Sequence, residues 1–214
     1  MNIILFGAPG AGKGTQAALI ANEFSWQHVS TGDILRSAVA SKSPLGVKVG
    51  SILDAGGLVD DELMFNLLRQ RLSQPDCQNG FILDGFPRTL QQAKTLLTMG
   101  FDFSCVLYLE VEQEAIIQRL SNRRIHVASG RVYHTVYNPP KNEGLDDITH
   151  EPLIRRKDDY PERIRDRFQV FNESTFPVLD YLASQIEQKT IHSTGLAAEE
   201  IFLTIKEYLD LKNK

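Results

Sequence analysis

The sequence contains few cysteines and no long apolar segment. Cys77 and Cys105 are its only two cysteines, too few and too far apart for a disulfide framework or a Cys-x-x-Cys metal site. No window reaches the roughly 18 consecutive apolar residues that a membrane-spanning helix requires, and Met1 to Phe6 lacks a basic stretch and a cleavage site. We therefore expect a cytoplasmic protein, in a reducing environment, with no membrane partner.

Positive charge is also too scarce for sequence-independent nucleic-acid binding. Lysine and arginine number 23 against 27 aspartates and glutamates, a net charge of -4, whereas such binding needs a basic surface. Residues 119–167 are the exception, because 11 basic residues there face 8 acidic ones. A basic segment in an acidic chain favours a compact anionic ligand. The alternative is an ordinary solvated charged surface.

Hydrophobic residues make up 42% of the chain, and their pattern alternates between short apolar runs and helical spacing. The predicted strands lie at 3–6, 28–29, 80–84, 104–109 and 190–192. The predicted helices lie at 13–24, from Asp60 or Asp61 to Leu72, at 112–120, at 160–184 with Pro177 bending or breaking the helix, and at 198–209. This alternation predicts an α/β fold with a parallel sheet.

Two segments interrupt the alternation. Residues 30–59 have the pattern of small amphipathic helices, and residues 122–159 are rich in turn signals around an alternating strand pattern at 131–137. The core is then expected to comprise residues 1–29, 60–121 and 160–214. An insertion of about 38 residues in a compact enzyme is commonly an active-site lid.

The strongest motif follows the first predicted strand. The nine residues Gly7 to Thr15, GAPGAGKGT, open the first helix, which is the setting of a phosphate-binding loop. Glycines let backbone amides converge on an anion, the helix N-terminus adds partial positive charge, and Lys13 reaches outer phosphates. The common consensus places serine or threonine directly after the lysine, whereas here Gly14 precedes Thr15.

Further motifs accompany this loop in order along the chain. They are Ser30-Thr31-Gly32-Asp33, Asp84-Gly85-Phe86-Pro87-Arg88, Arg123 and the region of Arg156. Together with the loop they resemble the adenylate kinase family, in which glycine before the threonine is normal. The similarity extends from the first strand to the last helix, and the long second insertion resembles bacterial-type members.

The resemblance implies a P-loop NTPase-type sheet carrying an AMP-binding insertion, residues 30–59, and a lid, residues 122–159. It implies a monomeric enzyme that transfers a phosphoryl group reversibly from Mg·ATP to AMP, giving two ADP. Arginine suits this chemistry because its planar, permanently charged fork matches phosphate oxygens. The implied catalytic residues are Lys13, Arg88, Arg123, Arg156 and Arg167.

The implied ligand contacts fall into two groups. ATP is expected at Gly10, Ala11, Gly12, Lys13, Gly14, Thr15, Arg119, Arg123, Val132, Tyr133 and Ala197. AMP is expected at Thr31, Arg36, Gly57, Leu58, Val59, Gly85, Phe86, Pro87, Arg88, Gln92, Arg156 and Arg167. Ala197 replaces a family lysine, and Gly57 a bulkier residue.

Metal chemistry is expected only through the nucleotide. Asp84, at the carboxyl end of an apolar strand, suits a magnesium ion held through water. His126, Ser129, Asp146 and Thr149 stand where some family members carry four zinc-binding cysteines. Because serine and threonine are poor zinc ligands, we expect a hydrogen-bonded network without structural zinc.

Two other functions fit parts of the sequence. A kinase for UMP, CMP or another monophosphate would share the fold, although related pyrimidine kinases usually have a short lid. A nucleotide-binding regulator would close on ATP without transferring a phosphoryl group. Such a regulator needs no second anion site, so Arg36 and Arg88 distinguish it from a kinase.

Overall fold

The computed structural model describes residues 1–40, 44–54 and 59–212. The strands are β1 Asn2–Phe6, β2 Gln27–Ser30, β3 Phe81–Asp84, β4 Phe103–Glu110, β5 Arg123–Ile125, β6 Val132–His134 and β7 Gln188–His192. The helices are α1 Lys13–Phe24, α2 Thr31–Ala40, α3 Pro44–Asp54, α4 Asp61–Leu72, α5 Leu90–Leu97, α6 Gln113–Ser121, α7 Pro161–Val170, α8 Phe176–Ala183 and α9 Ala198–Lys212.

Five of these strands form one parallel sheet in the order β2-β3-β1-β4-β7, which confirms the predicted α/β fold. Alternate side chains of the central strand β1 enter two different cores. Ile3 and Leu5 pack with residues of α1 and α9, whereas Ile4 and Phe6 pack with the helices of the opposite face. Because helices cover both faces, the strands are nearly continuous apolar runs, which made them recognisable in the sequence.

The two segments predicted as insertions carry helices and a strand pair that lie outside the five-stranded sheet. Helices α2 and α3 follow β2 and contribute Leu35 and Val49 to the core. Strands β5 and β6 form a separate antiparallel pair. The strand expected at 131–137 covers only Val132–His134, because the Nδ1 atom of His134 accepts the N–H groups of Val136 and Tyr137 and turns the chain.

The long helical pattern at 160–184 is interrupted just before Pro177, as expected. Residues Phe171–Thr175 form a π-helical turn between α7 and α8, in which the N–H of Phe176 bonds to the carbonyl of Phe171. Proline lacks an N–H and its ring clashes with the carbonyl four residues earlier in a regular helix, so the widened turn accommodates Pro177.

Within the described ranges, none of the helices is both long enough and apolar enough to cross a bilayer.

Candidate active site

The loop between β1 and α1 has the geometry of a phosphate-binding loop. Gly7 and Gly10 have φ values of 148° and 87°. A Cβ atom on Gly7 would lie 2.7 Å from the carbonyl oxygen of Leu109, so a larger residue does not fit. Gly12 caps α1 without a side-chain hydrogen bond, and the first turn holds no acidic residue. The N-terminus of this helix therefore favours an external anion.

Lys13 lies folded over this loop. Its Nζ atom donates to the carbonyl oxygens of Gly7 at 2.7 Å and Ala8 at 2.9 Å. Burial lowers the pKa of Lys13 to about 8, and Asp84 opposes this shift while Arg88 adds to it. A lysine ammonium has three donors, so one remains for a phosphate oxygen.

Five arginines that the resemblance assigns to the phosphates form one cluster with Lys13, and they are Arg36, Arg88, Arg123, Arg156 and Arg167. Arg88, Arg123 and Arg167 each lower the pKa of Lys13 by charge repulsion. The pKa values of Arg88 and Arg156 are lowered to about 10, mainly by burial and in part by repulsion from neighbouring arginines, Arg36 among them. Arginine is positively charged at neutral pH, so positive charge is concentrated beside Lys13.

Two aspartates that the sequence analysis did not single out hold this cluster. The fully buried carboxylate of Asp159 accepts from Nε and Nη2 of Arg123 at 2.8 and 2.6 Å. Arg167 Nη1 lies 2.9 Å from the carboxylate of Asp158 and 3.6 Å from that of Asp159. Burial acts to raise the pKa of Asp158, but Arg167 and Arg123 outweigh it and lower the pKa. The only sequence signal was their position directly after Arg155-Arg156-Lys157.

Arg36 and Arg156 differ in their partners. Arg36 donates to Oδ1 of Asp33 from Nε at 3.2 Å and from Nη2 at 2.5 Å. The Nε atom of Arg156 is buried and has no hydrogen-bond partner among the described residues. Burying an unpaired donor is costly, so this N–H is suited to an acceptor that a ligand supplies.

Asp84 ends β3 beside the loop, as predicted. Its Oδ2 atom lies 3.2 Å from Nε2 of His28, a neighbour that the sequence analysis did not identify. Burial acts to raise the pKa of Asp84, but the hydrogen bond from His28 and the charges of Lys13 and Arg88 lower it. The carboxylate is therefore ionised at neutral pH, and an ionised carboxylate beside a phosphate-binding loop fits Mg²⁺.

The residues predicted to bind AMP are linked by hydrogen bonds. Thr31 Oγ1 and Arg88 Nε both donate to the carbonyl of Gly85, at 3.0 and 2.7 Å. The backbone N–H of Arg88 donates to Oε1 of Gln92 at 2.7 Å. Phe86 and Val59 are buried nearby in the same core. Gly57 and Leu58 lie outside the described residues.

The outer ATP-side residues do not join the arginine cluster. Arg119 Nη2 donates to the carbonyl of Ser193 at 3.0 Å. Val132 is half-exposed, whereas Tyr133 is buried and its hydroxyl donates to Asp146 at 3.0 Å. The N–H of Ala197 donates to the Glu200 carboxylate at 2.7 Å, at the start of α9.

The four residues at the zinc-site positions form the expected hydrogen-bonded network. His126 Nδ1 lies 2.7 Å from Ser129 Oγ, and Thr149 Oγ1 donates to Asp146 at 3.0 Å. Arg131 adds two bonds to Asp146, at 2.7 and 2.6 Å, and is the main cause of the strongly lowered pKa of that carboxyl. Among the described residues, no three His, Cys, Asp or Glu side chains are placed to hold a metal ion.

A phosphate-binding loop facing clustered cations at the carboxyl end of a parallel sheet defines a P-loop phosphotransferase acting on nucleotides. The family model described as adenylate kinase matches residues 5–187, which include the loop and all five arginines. The chain belongs to the adenylate kinase family, and it is accordingly an ATP:AMP phosphotransferase. The family acts on Mg·ATP and binds ATP, AMP and ADP. This match favours AMP over the pyrimidine acceptors and the regulator considered above, and it ends before Ala197.

Proposed function

We propose that this chain transfers the γ-phosphoryl group in line from Mg·ATP to AMP between Lys13 and the arginine cluster. The observation that carries the proposal is that Lys13, on the phosphate-binding loop, and five arginines form one cluster of interacting charges. Phosphoryl transfer spreads negative charge over oxygens held between two nucleotides, and catalysis consists mainly of positioning and charge stabilisation. No general base is required, because the acceptor is an ionised phosphate oxygen.

We assign the donor phosphates to the loop, Gly10 to Thr15, with Arg123, Arg156 and Arg167. The AMP phosphate is assigned to Arg36 and Arg88, and its base to Thr31, the backbone at 57–59 and Gln92. The buried, unpaired Nε of Arg156 supports a role between the two phosphates. The ATP base and ribose are assigned to Arg119, Val132, Tyr133 and Ala197.

Asp84 and Thr15 are the residues that would hold magnesium, through water. The ion supplies charge neutralisation on the donor phosphates when it is bound. The role proposed for Asp84 is supported by its ionised state and by its position beside Gly14, where a Cβ atom would lie 3.8 Å from Oδ2. Structural zinc has no place in this proposal.

Residues 122–159 and 30–59 are proposed as a lid and an AMP-binding insertion that close over the core. Closure excludes water and so prevents loss of ATP to hydrolysis. The separate β5-β6 pair supports an independent lid unit. We further propose a monomeric, cytoplasmic enzyme.

The test mixes the purified protein with Mg·ATP and, separately, AMP, GMP, CMP and UMP, and follows ADP formation with chelator and no-acceptor controls. Arg88→Met should lower kcat/KM for AMP by on the order of 10³ while ATP binding persists. Arg69→Lys, on the exposed side of α4, is the matched control and should behave as wild type. Undiminished transfer by Arg88→Met would overturn the assignment, and transfer to no acceptor would overturn the proposed function.

A further inference from the structure

The carboxylate of Asp61 does not cap α4, although Asp61 is the first residue of that helix. The helix is capped by Asp60, whose Oδ1 accepts the N–H groups of Glu62 and Leu63 at 3.1 and 3.3 Å. Oδ1 of Asp61 instead accepts from Nε2 of Gln92 at 2.6 Å, across 31 positions of sequence. The contact joins α4 to α5 at the residue assigned to reading the AMP base.

Gln92 is held at both ends of its amide group. Its side chain is buried, with the residue 2% exposed. Nε2 faces the Asp61 carboxylate, and Oε1 accepts the backbone N–H of Arg88 at 2.7 Å. Because a carboxylate only accepts and a backbone N–H only donates, the amide has one permitted orientation.

This orientation leaves one Nε2 hydrogen and one Oε1 lone pair for a ligand. Adenine presents a donor at its 6-amino group and an acceptor at N1, whereas hypoxanthine and guanine present an acceptor at O6 and a donor at N1. A fixed amide therefore complements only one of these two patterns. An amide rotated by 180° would complement the other.

We propose that Asp61 is a positioning residue that selects a 6-aminopurine nucleotide over a 6-oxopurine nucleotide by preventing rotation of the Gln92 amide. The inference rests on the proposed function, which assigns Gln92 to the AMP base. Asp61 touches neither nucleotide and acts through Gln92. It would therefore set acceptor specificity without contributing to the phosphoryl-transfer step.

The expected effect follows from the strength of a hydrogen bond to a charged group. Losing one of the two restraints on the amide should lower the AMP-to-IMP ratio of kcat/KM by about 10- to 100-fold. A purely structural role predicts a different result. Loss of a tether between α4 and α5 would lower kcat/KM for both substrates and leave the ratio unchanged.

The experiment measures kcat/KM for AMP and for IMP, at saturating Mg·ATP, in the wild type and in Asp61→Asn. Asparagine has the same shape but offers Gln92 either an oxygen or an NH₂ group, so it removes the restraint at Nε2 and leaves only the N–H of Arg88 to orient the amide. Asp61→Ser, which removes the carboxylate, is the second variant. Asp60→Asn is the matched control, because it removes the neighbouring carboxylate while asparagine remains a good helix cap. The ratio does not depend on the fraction of active enzyme, so partial misfolding leaves it interpretable.

A fall in the ratio in both Asp61 variants, but not in Asp60→Asn, supports the inference. Gln92→Leu separates the inference from the assignment beneath it. If Gln92→Leu lowers kcat/KM for AMP but the Asp61 variants keep the wild-type ratio, Asp61 does not position the amide and the inference is wrong. If Gln92→Leu leaves the ratio unchanged, Gln92 does not read the base, and both the assignment and the inference are wrong.

Discussion

Replacing Asp159 by asparagine tests whether buried carboxylates hold the arginine cluster. The Asp159 side chain is 0% exposed and receives two hydrogen bonds from Arg123, whose side chain is 19% exposed. Asparagine keeps the size of the side chain but removes its charge and turns one acceptor into a donor. Arg123 then lies close to Lys13 and Arg156 without its compensating carboxylate.

The magnitude follows from this burial. Removing one partner of a buried ion pair costs about 3–5 kcal/mol, and the partial exposure of Arg123 places the expected loss near the lower end, at about 3 kcal/mol. For a chain of this length, each kcal/mol lowers Tm by about 2–4 °C. Asp159→Asn should therefore melt about 6–12 °C below the wild type, and kcat should fall because Arg123 loses its orientation.

Thermal unfolding of the ligand-free protein is the assay, with Asp76→Asn as the matched control. Asp76 also makes a two-bond contact with an arginine, Arg71, with both distances at 2.9 Å, but its side chain is 50% exposed. Because solvent screens the exposed pair, Asp76→Asn should leave Tm unchanged within error. Equal shifts in the two variants, or a shift below about 2 °C for Asp159→Asn, would refute the argument from burial.

Three further predictions concern the protonation of Lys13, the binding of magnesium and the proposed lid, residues 122–159. Because burial lowers the pKa of Lys13 to about 8 from 10.5, the unfolded chain binds more protons between these values. Urea titrations give the unfolding free energy of the wild type and of Lys13→Met. The wild-type value minus the variant value should rise as the pH increases from about 8 to 10.5, and a difference that does not change with pH would contradict the prediction. Asp84→Asn should raise the Mg²⁺ concentration for half-maximal activity by about 10-fold or more, and an unchanged magnesium titration would remove Asp84 from the metal site. Asp146→Asn should speed amide hydrogen exchange at Ile148 and Thr149, because their N–H groups donate to Oδ2 of Asp146 at 3.1 and 2.8 Å. Exchange in α9 serves as the internal control. Unchanged protection at Ile148 and Thr149 would show that these hydrogen bonds do not order the proposed lid.

The sequence located the elements whose pattern is local. Helix α1 has the predicted bounds, because a glycine-rich loop precedes it and apolar residues recur at helical spacing. In α4 the sequence pattern predicts that Leu63, Leu67, Leu68 and Leu72 share the buried face. Leu68 and Leu72 are buried, but Met64 joins them, while Leu63 and Leu67 are only partly buried. Where apolar residues are adjacent in a helix, the sequence pattern does not say which of them is buried, because burial depends on how the helix packs against the core.

Helix α5 was not predicted, although its signal was present. Thr89 caps it by accepting the N–H of Gln92 at 3.2 Å, and Thr89-x-x-Gln92 has the spacing of a capping box. The helix is only eight residues long, which gives a weak periodic signal.

The lysine and arginine residues of the candidate site could be predicted from the sequence, but the carboxylates that pair with them could not. Lys13 and Arg88 stand in motifs of the sequence, and the resemblance to the adenylate kinase family indicated the other arginines. Arg123 and Asp159 are 36 positions apart, and no local pattern joins them. The same holds for Asp61 and Gln92, so these pairs become visible only once the fold brings their elements together.

These acidic partners explain how a chain of net charge -4 holds a polyphosphate site. Asp33 pairs with Arg36, Asp159 with Arg123, and Asp158 with Arg167. A phosphate group that approaches these arginines exchanges one set of charge-assisted hydrogen bonds for another, so each contact adds little net binding free energy. The buried Nε of Arg156 is different, because it has no hydrogen bond to lose among the described residues. Phosphate contact with Arg156 should therefore contribute more to affinity than contact with the arginines that have carboxylate partners. In calorimetric titrations, Arg156→Lys should weaken ATP binding more than Arg36→Lys weakens AMP binding. Equal losses of affinity would mean that the carboxylate partners do not compete with phosphate.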